Sequence, residues 1–410
     1  MVTAGKYRLD TSGPQPVGRF VYGQSYLARP AAVELDPIDL PLVRRTYETA
    51  ALGGIFGALR DASPDAWGRR VIQKHLNRTD LSELDYLLHS PEDRAGALSF
   101  GLNAEPPPPV RQFNRTLHLG KILDLAERIF RDEELPGVLS AVERANVDQV
   151  AELVNPGTSM GGARPKNVVE DDEGLWLAKL PAPGDPWNYT RVEHSTLVLA
   201  RECGLSVAAS KRVTVGGKDV VLVSRFDREK TQQGYLRARM ASGLTLMHSE
   251  DTPDASQGWS YIRLAEELAR WGDRVEDDLH ELFRRMVFNA LISNLDDHPR
   301  NHAVIAPGKT WRLSPAYDLT PSAPVSIERR DLAMVCGRLG RWANRENLLS
   351  ECARFRYPRA DAARVIDDVA ATLRSCWRQI FRREGVSEQD CDRLAPAFVY
   401  PGFDFPRRIG

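Results

Sequence analysis

Asn294-Leu295-Asp296-Asp297-His298-Pro299-Arg300-Asn301, with Asp318 following 17 residues later in Ser314-Pro315-Ala316-Tyr317-Asp318, carries the strongest chemical signal in this chain. Asp296 offers a carboxylate able to take a proton from a hydroxyl. Asn301 stands five positions on as an oxygen ligand, and Asp318 supplies a second one. A base, an amide oxygen and a later carboxylate form the minimal set for phosphoryl transfer with a metal ion. Hard oxygen ligands of this kind suit Mg2+. A solvated acidic turn after a helix is the plainer alternative. A transition-metal pair made of His298 and His302 is a further one, but Pro299 between them breaks the helix that such a pair needs.

The residues on either side support a nucleotide site. Over 278–294, Leu282, Phe283, Met286, Val287, Ala290 and Leu291 recur at helical spacing, so a buried helix delivers the loop. Further upstream, the Gly-rich segment 157–166 holds Ser159, Gly161, Gly162, Ala163, Arg164 and Lys166 and precedes a strand, an acidic turn and a second strand ending at Lys179. Glycines there let backbone amides approach phosphate oxygens, and Lys166 adds charge. The segment lacks both common phosphate-loop patterns, so a plain flexible loop is its bland explanation. Strand alternation places Lys179 on the face of Leu175 and Leu177, where an ammonium needs an anion unless it snorkels to solvent. Glu193 opens the next helix, 190–203, either as partner of Lys179 or as an acid favoured at a helix N-terminus. Strands over 208–215 and 219–226 flank the turn pair Gly216-Gly217. Strand, strand, helix, strand, strand is the order of a small kinase N-lobe.

Outward from this centre the pattern predicts an α+β, protein-kinase-like fold, with a mixed α/β N-terminal part carrying a small antiparallel sheet and an all-helical C-terminal part. Three parts are expected: 1–110, 111–275 and 276–410. The first boundary is the stiff run Glu105-Pro106-Pro107-Pro108-Pro109. Before it, Ser63-Pro64-Asp65-Ala66-Trp67 reads as a capped helix start, and Thr79-Asp80 opens a second helix. Helices are also expected near 119–130, 138–153, 261–271, 344–355 and 359–383. Lys plus Arg number 55 against 56 Asp plus Glu, so no bulk charge draws the chain to nucleic acid or membrane. Arg359, Arg364, Arg374, Arg378, Arg382 and Arg383 are read as a solvated helical face in preference to a DNA-binding one. Five cysteines without C-x-x-C spacing, no apolar leader and no membrane-length run fit a cytoplasmic protein.

Taken together these residues resemble the HipA-type serine/threonine kinases, the toxin half of bacterial toxin-antitoxin pairs. The resemblance spans most of the chain: Asp65-Ala-Trp67-Gly-Arg69, Asp93-Arg94-Ala-Gly-Ala-Leu98, 159–166, Ala178-Lys179-Leu-Pro, Glu193-His194, Ser224-Arg225-Phe226-Asp-Arg228, 296–301 and Pro315-Ala-Tyr317-Asp318. It implies that Asp296 is the catalytic base and that Asn301 and Asp318 bind Mg2+. It implies an ATP site lined by Gly161, Gly162, Ala163, Arg164, Lys166, Lys179, Ser224, Arg225, Phe226, His298, Asn301, Tyr317 and Asp318. Ser159 matches the family's autophosphorylated serine, whose modification silences the kinase. The implied substrate is a protein of translation such as an aminoacyl-tRNA synthetase. The implied partner is a helix-turn-helix antitoxin, through which operator DNA is reached. Ser224 departs from the family, where this hinge position is often acidic. The Asp-x-His-x-x-Asn core is shared with phosphoinositide-type kinases, so a lipid or small-molecule kinase is the alternative enzyme, and a silent corepressor of the antitoxin the non-enzymatic one.

Overall fold

The computed structural model describes residues 1–106, 113–131, 164–323 and 326–405. Pro107–Pro109 of the expected boundary, the helix expected over 138–153, and Ser159, Gly161, Gly162 and Ala163 lie outside the described residues.

Two strands buried on both faces make the central hairpin. Lys166–Glu170 pairs antiparallel with Leu175–Lys179, so that Lys166 lies opposite Lys179 and Glu170 opposite Leu175. Asp171 closes the turn, accepting hydrogen bonds from the Glu173 N–H at 3.0 Å and the Trp176 indole at 2.7 Å. The strands Lys218–Ser224 and Ser210–Val215 extend the sheet beyond Leu175–Lys179, and Asn114–Arg115 completes five strands at the other edge. Gly216 and Gly217 both adopt positive φ in the turn joining Ser210–Val215 to Lys218–Ser224, which a two-residue hairpin of this hand requires.

Each face of this sheet is covered by a helix. Leu119, Ile122, Ala126 and Ile129 of the helix Leu119–Phe130 meet Val169, Trp176, Ala178 and Leu222, and Trp67 of the N-terminal part joins the same core. On the other side, the helix Tyr189–Glu202 buries Val192, Leu197 and Leu199 with Val221 and Val223. Asn188 caps its start by accepting the Arg191 N–H at 3.1 Å, and Gly204, at φ 78°, lets the chain turn away after its end.

The N-terminal part is a three-stranded antiparallel sheet, Gly5–Asp10, Val17–Tyr22 and Thr46–Thr49, with an aromatic core that includes Phe20, Tyr22, Tyr47 and Phe56. Its helix Ala66–Leu76 starts at Asp65, which accepts the Gly68 N–H at 2.9 Å. The next helix, Glu83–His89, starts later than Thr79-Asp80 because Ser82 and Asp85 form a reciprocal capping box.

The C-terminal part is built on Val275–Leu291, where Leu279, Leu282, Phe283, Met286, Val287 and Leu291 are all buried. Tyr261–Trp271 and Arg359–Arg383 pack against it. Two short strands interrupt the helices: Ala303–Ala306 pairs with Arg239–Ser242 on one side and with Arg312–Leu313 on the other, making a three-stranded sheet. All four residues of Ala303–Ala306 are buried, so the strand lacks the alternation by which half-buried strands are recognised. Among the described residues no helix is long and apolar enough to cross a membrane.

Candidate active site

The loop after Val275–Leu291 is shaped by bonds within its own chain. Ser293 takes a left-handed conformation at φ 54°, and the Asn294 N–H returns to the Asn289 carbonyl at 2.9 Å, closing the helix. Ser293 Oγ donates to the Ala397 carbonyl at 2.7 Å and accepts from Arg330, which helps hold the non-glycine residue in that conformation. The Asp296 carbonyl then accepts both the His298 N–H at 2.9 Å and the Asn301 side-chain amide at 3.2 Å. With its nitrogen so held, Asn301 presents Oδ1, buried and without a hydrogen-bond partner among the described residues.

The two adjacent carboxylates have different environments. Asp297 is buried, and its Oδ2 accepts from the Tyr261 hydroxyl and lies 3.0 Å from His302 Nε2, so it braces the loop from inside. Asp296 is exposed. Partial loss of hydration raises its pKa above the usual carboxylate value; His298 opposes this, and Asp318 and Asp251 add to it.

Opposite the loop, Lys179 Nζ lies 2.5 Å from Glu193 Oε1 and 2.7 Å from Asp318 Oδ1. Burial by itself would depress the ammonium, but the carboxylates of Asp318 and Glu193 outweigh it and keep Lys179 protonated. Glu193 is fully buried, and lost hydration raises its carboxyl despite Lys179; Asp318 is lowered because Lys179 overcomes the same penalty. Asp318 sits at φ 56°, aimed by its neighbours. The Tyr317 hydroxyl donates to the Arg300 carbonyl at 2.6 Å, and Ala316 exchanges bonds with Ser206 and Ala208 at 2.8 and 2.9 Å. Two carboxylates around one ammonium leave excess negative charge, and Asp318 lies close enough to the loop for its charge to act on Asp296. These groups fit a divalent cation held by Asn301 and Asp318.

The other expected site residues divide. Phe226 packs on Tyr317 with ring centres 5.5 Å apart, beside the half-buried Ser224 at the end of its strand. His298 is half-buried near Trp259, and its Nδ1 has no hydrogen-bond partner among the described residues. Arg164 forms a bidentate pair with Asp185 at 2.9 and 2.5 Å and stacks over Tyr189. Lys166 is 2.5 Å from Asp65. Arg225 turns into the N-terminal part, bonding Asp93 at 3.1 Å, Asp227 at 2.8 Å and the Arg94 carbonyl at 2.8 Å, so its side chain joins a buried ion cluster. Sequence reasoning missed this cluster, the Asp65–Lys166 pair and the Asp297–His302–Tyr261 brace. The signal the sequence offered is that Asp65, Asp93, Lys166, Arg225, Asp227 and Arg228 lie within stretches shared with the HipA-type kinases.

A hairpin lysine paired with a helix carboxylate, facing a loop with Asp and Asn and a later Asp, defines the protein-kinase-like class of fold. The HipA-like C-terminal domain model matches residues 158–377, just over half of the chain, and the HipA N-terminal domain model matches residues 3–101. The chain belongs to the HipA family. A Haemophilus influenzae protein named "Putative kinase" is 25% identical over 185 residues, which cover 41% of this chain and 54% of that protein. "Putative kinase Y4dM" of Sinorhizobium fredii is 28% identical over 183 residues, 40% of this chain and 41% of the relative. The chain thus spans about half the length, or less, of these relatives. HipA in the complex of Shewanella oneidensis MR-1 HipA and HipB with operator DNA superposes with a TM-score of 0.68 at 17% identity, covering 96% of this chain and 92% of that one. That match gives the same fold over nearly the whole chain.

Proposed function

We propose that this chain is an ATP- and Mg2+-dependent serine/threonine protein kinase that acts as a growth-arresting toxin. The observation that carries the reading is the meeting of Lys179 with Glu193 and Asp318, which joins the hairpin, the helix and the metal-site residue in one buried charge cluster. Bound Mg·ATP supplies an activated phosphoryl group. Asn301 Oδ1 and Asp318 hold the metal, and Lys179 neutralises phosphate charge while Glu193 keeps it in place. Asp296, exposed in the cleft, orients the substrate hydroxyl and takes its proton. Arg164, Lys166, Ser224, Arg225, Phe226, His298 and Tyr317, with Gly161, Gly162 and Ala163, complete the ATP site. In this assignment Arg164 and Arg225 act mainly by fixing its walls, since each is engaged with a carboxylate.

The target on this reading is a translation component such as an aminoacyl-tRNA synthetase, reached in the cytoplasm. Phosphorylation of Ser159 and binding of a helix-turn-helix antitoxin silence the enzyme. Operator DNA is approached mainly through the antitoxin. Similarity to a HipA solved with HipB and operator DNA supports this partner. Arg364, Arg374, Arg378, Arg382 and Arg383 are each paired with an acid of this chain, which favours a solvated face over direct DNA contact.

Purified protein incubated with labelled ATP and Mg2+ in lysate tests the reading, with peptide mapping of every labelled product. Asp296→Ala is expected to lower transfer about 100- to 10,000-fold while nucleotide still binds. Ser159→Ala is expected to lose label at that position. No label on the wild-type protein or on any lysate component overturns the proposal.

A further inference from the structure

Lys166 and Lys179 face each other across the hairpin, at Cα partners of one register. Directly opposed side chains share a face of the sheet, so two ammonium groups there repel unless each has its own anion. Lys179 has Glu193 and Asp318. Lys166 has Asp65, and the pair is almost wholly enclosed, with side chains 1% and 3% exposed. Asp65 comes from the N-terminal part, 101 residues away in sequence. Its other oxygen is fixed by the Gly68 N–H at 2.9 Å at the start of Ala66–Leu76. Trp67 of the same helix is buried under the sheet with Trp176 and Ala178, so the carboxylate is carried on a packed support.

We infer that Asp65 is a positioning residue for the nucleotide site, acting through Lys166. Its carboxylate holds Lys166 beside Lys179 as a second cation for the phosphates, and keeps Lys166 from competing for Asp318, which the metal needs. The inference rests on the nucleotide reading above.

Asparagine caps a helix as well as aspartate does, so Asp65→Asn keeps the bond to Gly68 and removes the charge and the acceptor that meet Lys166. Binding of a fluorescent ATP analogue with Mg2+ is measured for wild type, Asp65→Asn, Lys166→Met and the double variant, together with KM and kcat. Asp65→Asn is expected to weaken analogue binding and raise the KM for ATP about tenfold, with a smaller effect on kcat. In the Lys166→Met background it adds nothing. If Asp65→Asn alone does not fold, the double variant is expected to fold again, because the buried ammonium is gone with its partner. Wild type that binds the analogue while Asp65→Asn binds equally well overturns the inference alone. So does an undiminished loss in the Lys166→Met background, or a double variant that stays unfolded. Wild type that binds no analogue overturns the nucleotide reading and the inference with it.

Discussion

Lys179 is a buried ammonium, and it stays charged because Glu193 and Asp318 both meet it. Replacing it with alanine leaves two carboxylates facing each other where phosphates must approach. Lys179→Ala is expected to weaken ATP binding by about 1.5–3 kcal/mol. Calorimetry finding unchanged affinity would remove Lys179 from the site. Strand alternation alone had put this side chain on a buried face, and spacing had singled out Asp296, Asn301 and Asp318 as candidates. Spacing says less about Asp296 and Asp297, neighbours of the same type. Only the Tyr261 and His302 contacts assign the second one to bracing. The Asp65–Lys166 pair was out of reach, since no local pattern links residues 101 apart.

Elements meet through single carboxylates as well as through apolar faces. Asp219 ties the helix Tyr189–Glu202 to the hairpin behind it, accepting from Arg191 Nε at 2.7 Å, Asn188 at 2.8 Å, Thr214 at 2.7 Å and Arg212 at 3.0 Å. Burial pushes this carboxyl up, but those donors outweigh it and hold it at about 2, against an ordinary 3.8. A depressed native pKa stabilises the fold above the unfolded value and is lost as pH falls through the native one. Asp219 is therefore expected to contribute about 2 kcal/mol at neutral pH, disappearing between about pH 4 and pH 2. Denaturant titrations across that range check it: Asp219→Asn should be less stable at pH 7 and flatter in the acid, and parallel curves would refute the assignment. The helix concerned was expected over 190–203, within a residue of where it lies, and Arg359–Arg383 emerges over the same residues as the pattern predicts. Ala303–Ala306 was not, because a short, wholly buried apolar run looks the same in a strand as in a helix.

At the scale of the molecule, the N-terminal part belongs to the machinery of the rest. Arg225 and Arg228 flank Asp227 at the hinge, and Asp93 bonds both arginines, at 3.1 and 3.2 Å. The Gly96 N–H donates to Asp227 at 2.9 Å, and the Arg94 carbonyl accepts from both guanidiniums. Asp61 makes a third junction, accepting from the Ser242 N–H, the Ser242 hydroxyl and the Thr245 hydroxyl at 2.7 Å each. Gly243, the next residue, lies so close to Pro299 that an added Cβ would come within 2.7 Å of its carbonyl oxygen, so this turn seats the Asp296 loop. Two cations and two anions balance in the hinge cluster only while Asp93 is present. Removing it leaves a buried guanidinium uncompensated, which costs far more than such a pair contributes when intact. Asp93→Ala is expected to destabilise the whole chain by about 3–5 kcal/mol. Calorimetry should then show one transition moved to lower temperature, with the N-terminal part and the remainder unfolding together. A variant in which the N-terminal part melts separately, leaving the rest at its wild-type temperature, would show that the hinge does not depend on it.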